Sequence, residues 1–331
     1  MGRFADRPTV KTIEINQSVI WGTDVTEIFQ QSINALLIGC NYTLIAVGFN
    51  LFFGALNVVH FSHGDVCILG AFVVLILYAL AKFFGLLSAF PPYIFIPILI
   101  LATMAVTGMI GVFFERLVIK PFRQAPLLMV LVATVALGIV IREAVRLTFP
   151  HGSNPQIFPR ILPTFSFSIG GVVLRADNLI ILGTTFLLIA VMFLFIQKTK
   201  MGAAIRAISQ DGEAALMMGI RMDRTVAATF LIGSALGAVA GVLIGAYNNI
   251  IRFDMGLMGG VKGFSAAVVG GLGNVYGAIV GGLVLGFVET FAAAFIPGGT
   301  PYTDVFAFLV VIFFLVFRPS GILGEKVYEK V

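Results

Sequence analysis

Charged residues are scarce in this chain of 331 residues: Asp, Glu, Lys and Arg make up 11% of it, while hydrophobic residues make up 59%. Soluble globular domains carry about 25% charged residues, because a packed core needs a hydrated surface. The shortage therefore excludes an ordinary soluble enzyme or binding domain. The net charge of +5 needs no nucleic-acid partner, because Lys and Arg gather in a few short loops.

Long uncharged stretches replace the missing charges, and several exceed the 20 or so helical residues that cross a bilayer core of roughly 30 Å. A β-barrel would instead alternate apolar and polar residues in shorter segments. We therefore predict an all-α, polytopic helical bundle in a membrane, built as two similar halves. Eight spans are expected near residues 29–50, 64–86, 93–118, 126–148, 178–197, 226–250, 277–296 and 303–317.

Three further features that the sequence lacks limit the possible functions: a cysteine pair, a phosphate-binding loop and a cleavable signal. The two cysteines, Cys40 and Cys67, lie in apolar runs, which favours small buried side chains over a disulfide or a metal pair. No G-x-x-x-x-G-K-[ST] loop occurs, so we expect no cofactor here and ATP chemistry only in another subunit. Residues 1–28 mix charges with scattered Val and Ile and lack the apolar core of a cleavable signal, so they are predicted to be a polar tail.

Basic loops predict the orientation of the chain. Residues 120–123 and 198–224 are rich in Lys and Arg, which indicates the cytoplasmic side. The proline-rich connector 149–177 then lies on the opposite side. A cytoplasmic position for the basic tail, residues 326–331, requires one more crossing after residue 250.

Two short, interrupted apolar stretches, 51–63 and 256–273, supply candidates for additional crossings, one in each half of the domain 29–325. Paired broken segments in corresponding halves indicate a transport site. The bundle is therefore expected to contain eight spans and two discontinuous segments.

Polar residues concentrate in the first broken segment. Ionisable groups at membrane depth face protein or a water-filled cavity, so one interpretation is a discontinuous helix lining a translocation path. The other is a short cytoplasmic loop in which Ser62 or Asp65 caps the next helix. A metal site is not expected, because the spacing matches no recognised ligand set. The translocation-path residues predicted here are Asn57, His60, Ser62 and His63.

Glycines dominate the second broken segment, at Gly270, Gly271 and Gly273. No strand precedes them, so a nucleotide loop is disfavoured. They indicate either close helix packing or a hinge that lines the path. Two nearby charged residues, Lys262 and Glu289, are expected at the membrane interfaces, Lys262 by extending its side chain to the headgroups. The alternative for Glu289 is a buried position, which would make it a functional candidate.

The end of one apolar run carries Arg142, Glu143 and Arg146, which we expect to form an interfacial cluster.

The most specific signal is a polar cassette at residues 206–224. Ser209, Gln210 or Asp211 can cap a short helix that contains Glu213, Ala214 and Ala215. Leu216, Met217 and Met218 continue it as helix formers able to fill a partner's groove. Gly219 suits a left-handed helix end. The alternative is an ordinary loop helix.

These motifs together resemble those of LivH-type permeases of branched-chain amino acid importers driven by ATP-binding cassette (ABC) proteins. Residues 53–65 (FGALNVVHFSHGD) resemble the family signature G-x-x-N-F-A-H-G-E, and residues 200–207 (KMGAAIRA) resemble R-M-G-R-A-x-R-A. Residues 264–273 and 318–324 match further landmarks. The resemblance covers roughly residues 30–325. Glu213-Ala214-Ala215, followed three residues later by Gly219, resembles the EAA motif by which such permeases dock on their ATPases, but the Leu-Pro found downstream in the full motif is missing.

The resemblance implies a permease subunit in a bacterial inner membrane, surrounded by lipid. Its implied partners are a second similar permease, two cytoplasmic ATPases and a periplasmic binding protein. Coupling to the ATPases would rest on Glu213, Ala214, Ala215 and Gly219. Branched-chain amino acids are the expected substrates, and urea or short amides are the alternative.

Two other classes of function stay open from the sequence. An ion-coupled secondary transporter would need an essential membrane carboxylate, Asp65 or Glu289. A membrane-embedded enzyme would use His60, His63 and Asp65 as acid–base groups, but no nucleophile or metal set accompanies them.

Overall fold

The computed structural model describes residues 25–123, 125–163, 165–169 and 171–324. Helices form nearly all of the regular structure in these ranges. In chain order they are α1 Val25–Leu56, α2 His63–Phe83, α3 Leu86–Ala89, α4 Pro92–Phe114, α5 Lys120–Phe122, α6 Leu127–Thr148, α7 Ala176–Lys198, α8 Lys200–Gln210, α9 Gly212–Met217, α10 Met222–Asn248, α11 Met255–Gly270, α12 Val275–Phe295 and α13 Thr303–Phe317. A π-helical turn, Glu115–Ile119, joins α4 to α5, and a 3-10 turn, Thr300–Tyr302, precedes α13.

Eight helical segments within the described ranges are long and apolar enough to cross a membrane, which confirms the predicted polytopic all-α bundle. The third of them, Pro92–Phe122, runs from α4 through the π-helical turn into α5. The apolar helix α11 is shorter, and its 16 residues extend about 24 Å at 1.5 Å per residue. Cys40 and Cys67 are free and buried, as predicted.

Two small antiparallel sheets lie between the helices. Strand β1, Gln156–Ile157, pairs with β4, Ile250–Ile251, and β2, Ser166–Ile169, pairs with β3, Val172–Arg175. The first pairing fixes the connector 149–177 against the C-terminal end of α10. We call this the far end of the bundle. The basic end is the opposite one, which carries residues 120–123 and 198–224.

Helix α1 lies at the centre and packs against α10, α11 and α12. Small residues permit this contact: a Cβ on Gly286 of α12 would lie only 2.3 Å from the backbone nitrogen of Gly39. Transmembrane helices gain little from the hydrophobic effect inside lipid, so close van der Waals packing of this kind holds them together. Helix α13 lies at the periphery and exposes most of its large apolar side chains.

The first broken segment differs from its prediction. Residues 51–56 continue α1, so residues 51–63 form no additional crossing. Only residues 57–62 interrupt the helices. Ser62 precedes α2 but its side chain makes no capping hydrogen bond, which makes the capping interpretation wrong for this residue. The chain enters α2 from the interior of the bundle, because Ser62 and His63 are fully buried.

The second broken segment consists of α11 and the turn at residues 271–274. It leads from the far end back to the basic end, as predicted for an extra crossing. After α13 the chain returns to this turn, where the amide of Ile322 donates to the carbonyl of Val269 at 2.9 Å. The predicted tail 326–331 lies outside the described residues, as do residues 1–24 of the predicted tail 1–28. Residues 25–28 belong to α1.

Candidate functional site

The cassette folds as two short helices at the basic end, α8 and α9. Thr199 caps α8 by accepting a hydrogen bond from the amide of Gly202 at 3.0 Å. Asp211 caps α9 in the same way, since its carboxylate accepts from the amide of Ala214 at 3.0 Å. Each cap satisfies an amide that the helix itself leaves unpaired. The predicted choice among three capping residues is thus resolved in favour of Asp211.

Helix α9 ends as predicted at Gly219, which adopts the left-handed conformation with φ of 82°. The amide of Ile220 then returns to the carbonyl of Ala215 at 3.1 Å, a closure typical of a glycine-terminated helix. No atom lies within 4 Å of a Cβ placed on Gly219. The glycine is therefore required by backbone conformation and not by crowding.

One face of α9 is anchored and the other is open. Ala215 is buried, whereas Met217 and Met218 are 86% and 84% exposed and Leu216 is also exposed. Flexible methionines adapt well to a partner's surface. Glu213 and Ala214 are exposed too. The helix thus displays apolar side chains outside the spanning segments, where lipid tails do not cover them.

Helix α8 connects α9 to the bundle, because it packs against α1, α7 and α10. A Cβ on Gly202 would lie 2.3 Å from the carbonyl oxygen of Ile196, so α8 leaves α7 through a tight corner. The guanidinium of Arg206 donates to the same Ile196 carbonyl. The corner is therefore fixed by both backbone contact and a charged hydrogen bond.

An ion-pair network joins the other end of the cassette to the segment after α4, formed by the π-helical turn and α5. Asp223, in the first turn of α10, accepts from Lys120 at 2.7 Å and from Arg123 at 2.6 Å. Arg123 also pairs with the buried carboxylate of Glu115. These ion pairs tie the start of α10 to the end of the span that contains α4.

The structure brings four of the polar residues of the first broken segment together in a buried polar centre, defined here as His60, Ser62, His63 and Asp65. Ser62 and His60 share a hydrogen bond of 3.1 Å. The ring of His63 stands edge-on to Phe49 and Phe52, each at 5.0 Å. These polar groups are thus held among aromatic rings.

This centre lies part-way along the spanning helices. The amide of Phe61 donates to Thr134, seven residues into α6, and Asp65 contacts Gly138, a further turn along. The carboxylate of Asp65 lies 3.4 Å from Nε of Arg142, with exposed side-chain fractions of 4% and 18%. Arg142 therefore does not belong to the predicted interfacial cluster. The other two predicted members, Glu143 and Arg146, do pair with each other.

Glycines make room for the centre. A Cβ on Gly48 would lie 2.2 Å from Nε2 of His63, and one on Gly237 would lie 2.8 Å from the same ring. A Cβ on Gly138 would lie 2.4 Å from the Asp65 carboxylate. These contacts come from three different helices. The polar side chains thus fill recesses that residues far apart in sequence create.

Asn57 lies apart from the centre. It is exposed, and its φ of 53° places it in the left-handed region at the end of α1. Its amide donates to the carbonyl of Phe53 at 2.7 Å. Asn57 therefore terminates α1, a role that asparagine performs well because its side chain tolerates this conformation.

The predicted glycines of the second broken segment form a tight turn at the basic end. A Cβ on Gly270 would lie 1.9 Å from the carbonyl oxygen of Gly277, so the backbones of α11 and α12 touch. Gly271 and Gly273 have positive φ values of 116° and 81°. Asn50 of α1 bridges the turn by donating to the carbonyls of Gly271 and Asn274.

Glu289 is buried inside the bundle, which favours the second of its two predicted positions, and Lys262 is half-buried against it. The amine of Lys262 lies 2.8 Å from Glu289 and 2.7 Å from Asp304, and Tyr42 donates to Glu289 at 2.6 Å. This cluster connects α1, α11, α12 and α13. Glu289 also lines a polar cleft of about 370 Å³ with Gln31 and Asn34 of α1.

Several of these residues were not singled out by the sequence analysis. Asn50 and Tyr42 lie inside a long apolar run. The sequence signal that could have identified each of them was a single polar side chain among apolar neighbours. Arg142 and Asp65 were each named from the sequence, but their pairing was not, because the two residues lie far apart in the chain. Asp304 lies in the first turn of the last span, α13.

Comparison of the whole chain with known protein families and sequences shows which proteins it is similar to. The family described as branched-chain amino acid transport system permease component matches residues 32–315. The permease protein BraD of Pseudomonas aeruginosa, named for high-affinity branched-chain amino acid transport, is 36% identical over 93% of this chain and 99% of its own length.

Two further relatives carry similar names. The Escherichia coli permease protein LivH of a high-affinity branched-chain amino acid transport system is 33% identical over 91% of this chain and 97% of its own length. A probable LivH of Methanocaldococcus jannaschii is 29% identical over 85% of this chain and 88% of its own length. No solved structure matches the chain.

Proposed function

This chain belongs to the family of permease components of branched-chain amino acid transport systems, and on that premise we propose that it carries branched-chain amino acids across a bacterial inner membrane. It is a multi-pass membrane protein and the permease component of an ABC importer, a transport subunit and not an enzyme. The observation that carries the proposal is the exposed helix α9, capped at both ends and displaying Leu216, Met217 and Met218.

The proposed substrate class rests on the names of the relatives, since BraD and LivH are each named for branched-chain amino acid transport. Their alignment covers nearly the whole chain, spans and cassette included. Urea and short amides are the alternative substrates from the sequence. Adding them as competitors in an uptake assay distinguishes the two substrate classes.

Four kinds of partner follow in this proposal. Two cytoplasmic ATPases supply ATP hydrolysis, since the sequence contains no phosphate-binding loop of the G-x-x-x-x-G-K-[ST] type. A periplasmic binding protein delivers substrate at the far end, where β1 and β4 pair. A second permease covers part of the exposed apolar surface, and lipid covers the rest.

The coupling step proposed here begins at α9. Nucleotide-driven closure of the ATPases moves the groove that holds Met217 and Met218. The movement reaches α1 through α8 and reaches α4 through Asp223 and Lys120. The spanning helices then alternate between inward and outward access, as expected for a transporter with discontinuous helices.

The translocation path is proposed to run beside the buried polar centre and the α11–α12 turn. The polar groups of His60, Ser62 and His63 lie at a helix break within the bundle, where transporters place substrate contacts. Gly270, Gly271 and Gly273 provide the hinge next to it. Asn57 is proposed to face the aqueous opening at the basic end.

The test is Gly219→Val in the reconstituted importer, with uptake of leucine and ATP hydrolysis measured together. A branched side chain at φ of 82° is strained, so the end of α9 must rearrange. We expect uptake to fall at least about tenfold, equivalent to 1.4 kcal/mol, while the protein still inserts and folds.

The matched control is Gly298→Val at the far end. Gly298 has φ of 72° and, like Gly219, nothing within 4 Å of a Cβ. The Gly298→Val substitution imposes the same kind of backbone strain away from the proposed ATPase contact. Uptake by this variant is therefore expected to stay near that of the unaltered protein. Equal uptake by the two variants would contradict coupling through α9.

A further inference from the structure

A charged cleft opens at the basic end between α4 and α10. Its volume is about 490 Å³, and the residues lining it are Glu115, Arg116, Lys120, Asp223, Arg224 and Ala227. We propose that this cleft binds the headgroup of an anionic phospholipid, with Arg116 and Arg224 contacting the phosphate. This site lies beside the transport machinery and is independent of the proposed substrate.

The charges around the cleft do not balance. Glu115 is already paired with Arg123. Asp223 is already paired with both Lys120 and Arg123. Among the residues that the structure describes, neither Arg116 nor Arg224 lies within ion-pair distance of a carboxylate. Two positive charges therefore remain unmatched, which is the electrostatic requirement for an anionic ligand.

The surface next to these arginines is apolar and faces outward. Met109 and Phe113 are exposed on α4, Leu117 is exposed on the π-helical turn that follows, and Leu231 is exposed on α10. Residues three apart share a helix face, so Phe113 lies on the same face as Arg116. Apolar side chains here meet acyl chains, while the guanidinium extends to the headgroup level.

Helix packing explains why the cleft is open where the charges lie. Higher in the bundle α4 and α10 are in contact, and a Cβ on Gly111 would lie 2.1 Å from the Ser234 hydroxyl. The π-helical turn Glu115–Ile119 follows immediately and leaves the cleft beside it. Such turns widen a helix locally and often occur at functional sites.

A phospholipid fits this combination better than other anions do. Its phosphate matches the unmatched arginines, and its acyl chains match the seam formed by Phe113, Leu117 and Leu231. A free phosphate ion would leave the apolar seam unused. Basic pockets between spanning helices on the cytoplasmic side are known binding sites for anionic headgroups.

The experiment measures lipid bound to the full-length protein in nanodiscs that contain phosphatidylcholine and phosphatidylglycerol. Native mass spectrometry gives the enrichment of phosphatidylglycerol among bound lipids. With R116Q/R224Q we expect this enrichment to fall by about tenfold, since both unmatched charges of the cleft are removed and each basic residue contributes about 1 kcal/mol to anionic-lipid binding. The variant R116K/R224K, which keeps both charges, is expected to keep most of the enrichment.

The control is R318Q, which removes an exposed charge next to α13 at the same end of the bundle. An equal fall in R318Q and R116Q/R224Q would overturn the proposal, because it would show a general charge effect. Unchanged enrichment in R116Q/R224Q together with lost ATPase co-purification would overturn it too, and would assign the cleft to protein docking. Displacement of the lipid by inorganic phosphate alone would assign it to a free anion.

Discussion

The cassette at the basic end and the buried polar centre both interrupt apolar sequence with polar residues, but they are built in opposite ways. In the cassette, the bonds that end the short helix α9 are local: the carboxylate of Asp211 accepts from the amide of Ala214, and Gly219 closes the helix. In the buried polar centre, bonds are distant: Asp65 pairs with Arg142, and Phe61 donates to Thr134. The ends of α9 are therefore set by neighbouring residues, whereas the centre exists only when several helices have assembled.

This difference has energetic consequences. Water solvates the cassette, so substitutions there change contact with a partner more than they change stability. The centre is shielded from water, and a charge left there without its partner is costly. Stability measurements should therefore respond strongly to the centre, and transport measurements to the cassette.

The largest expected effect on stability comes from Arg142→Ala. The substitution leaves the carboxylate of Asp65, which is 4% exposed, without its cation. Breaking a buried ion pair from one side costs about 3–5 kcal/mol. The free energy of unfolding is measured by SDS titration in mixed micelles.

Arg146→Ala is the matched control, one turn further along α6. Its ion pair with Glu143 is about half exposed, at 40% and 45% of the two side chains. Such pairs contribute about 0–1 kcal/mol. Similar losses in the two variants would mean that the Asp65–Arg142 pair has no special weight in the fold.

A smaller effect is expected for Gly48→Ala. The new methyl group would lie 2.2 Å from His63, whose ring cannot retreat because Phe49 and Phe52 flank it. Overpacking of this kind costs about 1–3 kcal/mol. In α7, Gly183→Ala meets no atom within 4 Å and should cause no loss in the same titration. Equal stability of both variants would contradict tight packing around the centre.

The smallest effect on stability, but an informative one, is expected for Ser62→Cys, a change of similar volume at a fully buried position. If the path opens beside the centre, a water-soluble thiol reagent should label this cysteine mainly during turnover. Asn57→Cys, at an exposed position, should be labelled with or without ATP. Labelling of Ser62→Cys that ignores turnover would remove the centre from the path.

Much of the fold could be predicted from the sequence because lipid imposes long uncharged segments. All eight spans were predicted, and so was the short helix with its glycine end at Gly219. Both rest on local signals: hydropathy over about 20 residues, or capping and helix-forming residues within ten.

The arrangement of buried charges could not be predicted in the same way. Lys262 was expected at an interface, since a lysine side chain can reach the headgroups from a short helix. Its actual partners, Glu289 and Asp304, lie on two other helices. Residues 51–63 were expected to cross the membrane, but length alone does not tell whether an apolar stretch starts a new helix or continues α1.

The central claim is that this permease component depends on partner ATPases acting through α9. The direct measurement is leucine accumulation in vesicles that contain this chain with the proposed second permease and binding protein, with and without the proposed ATPase subunits. The account predicts accumulation against a gradient only when the ATPases and ATP are both present. Equal accumulation in vesicles without the ATPases would contradict it.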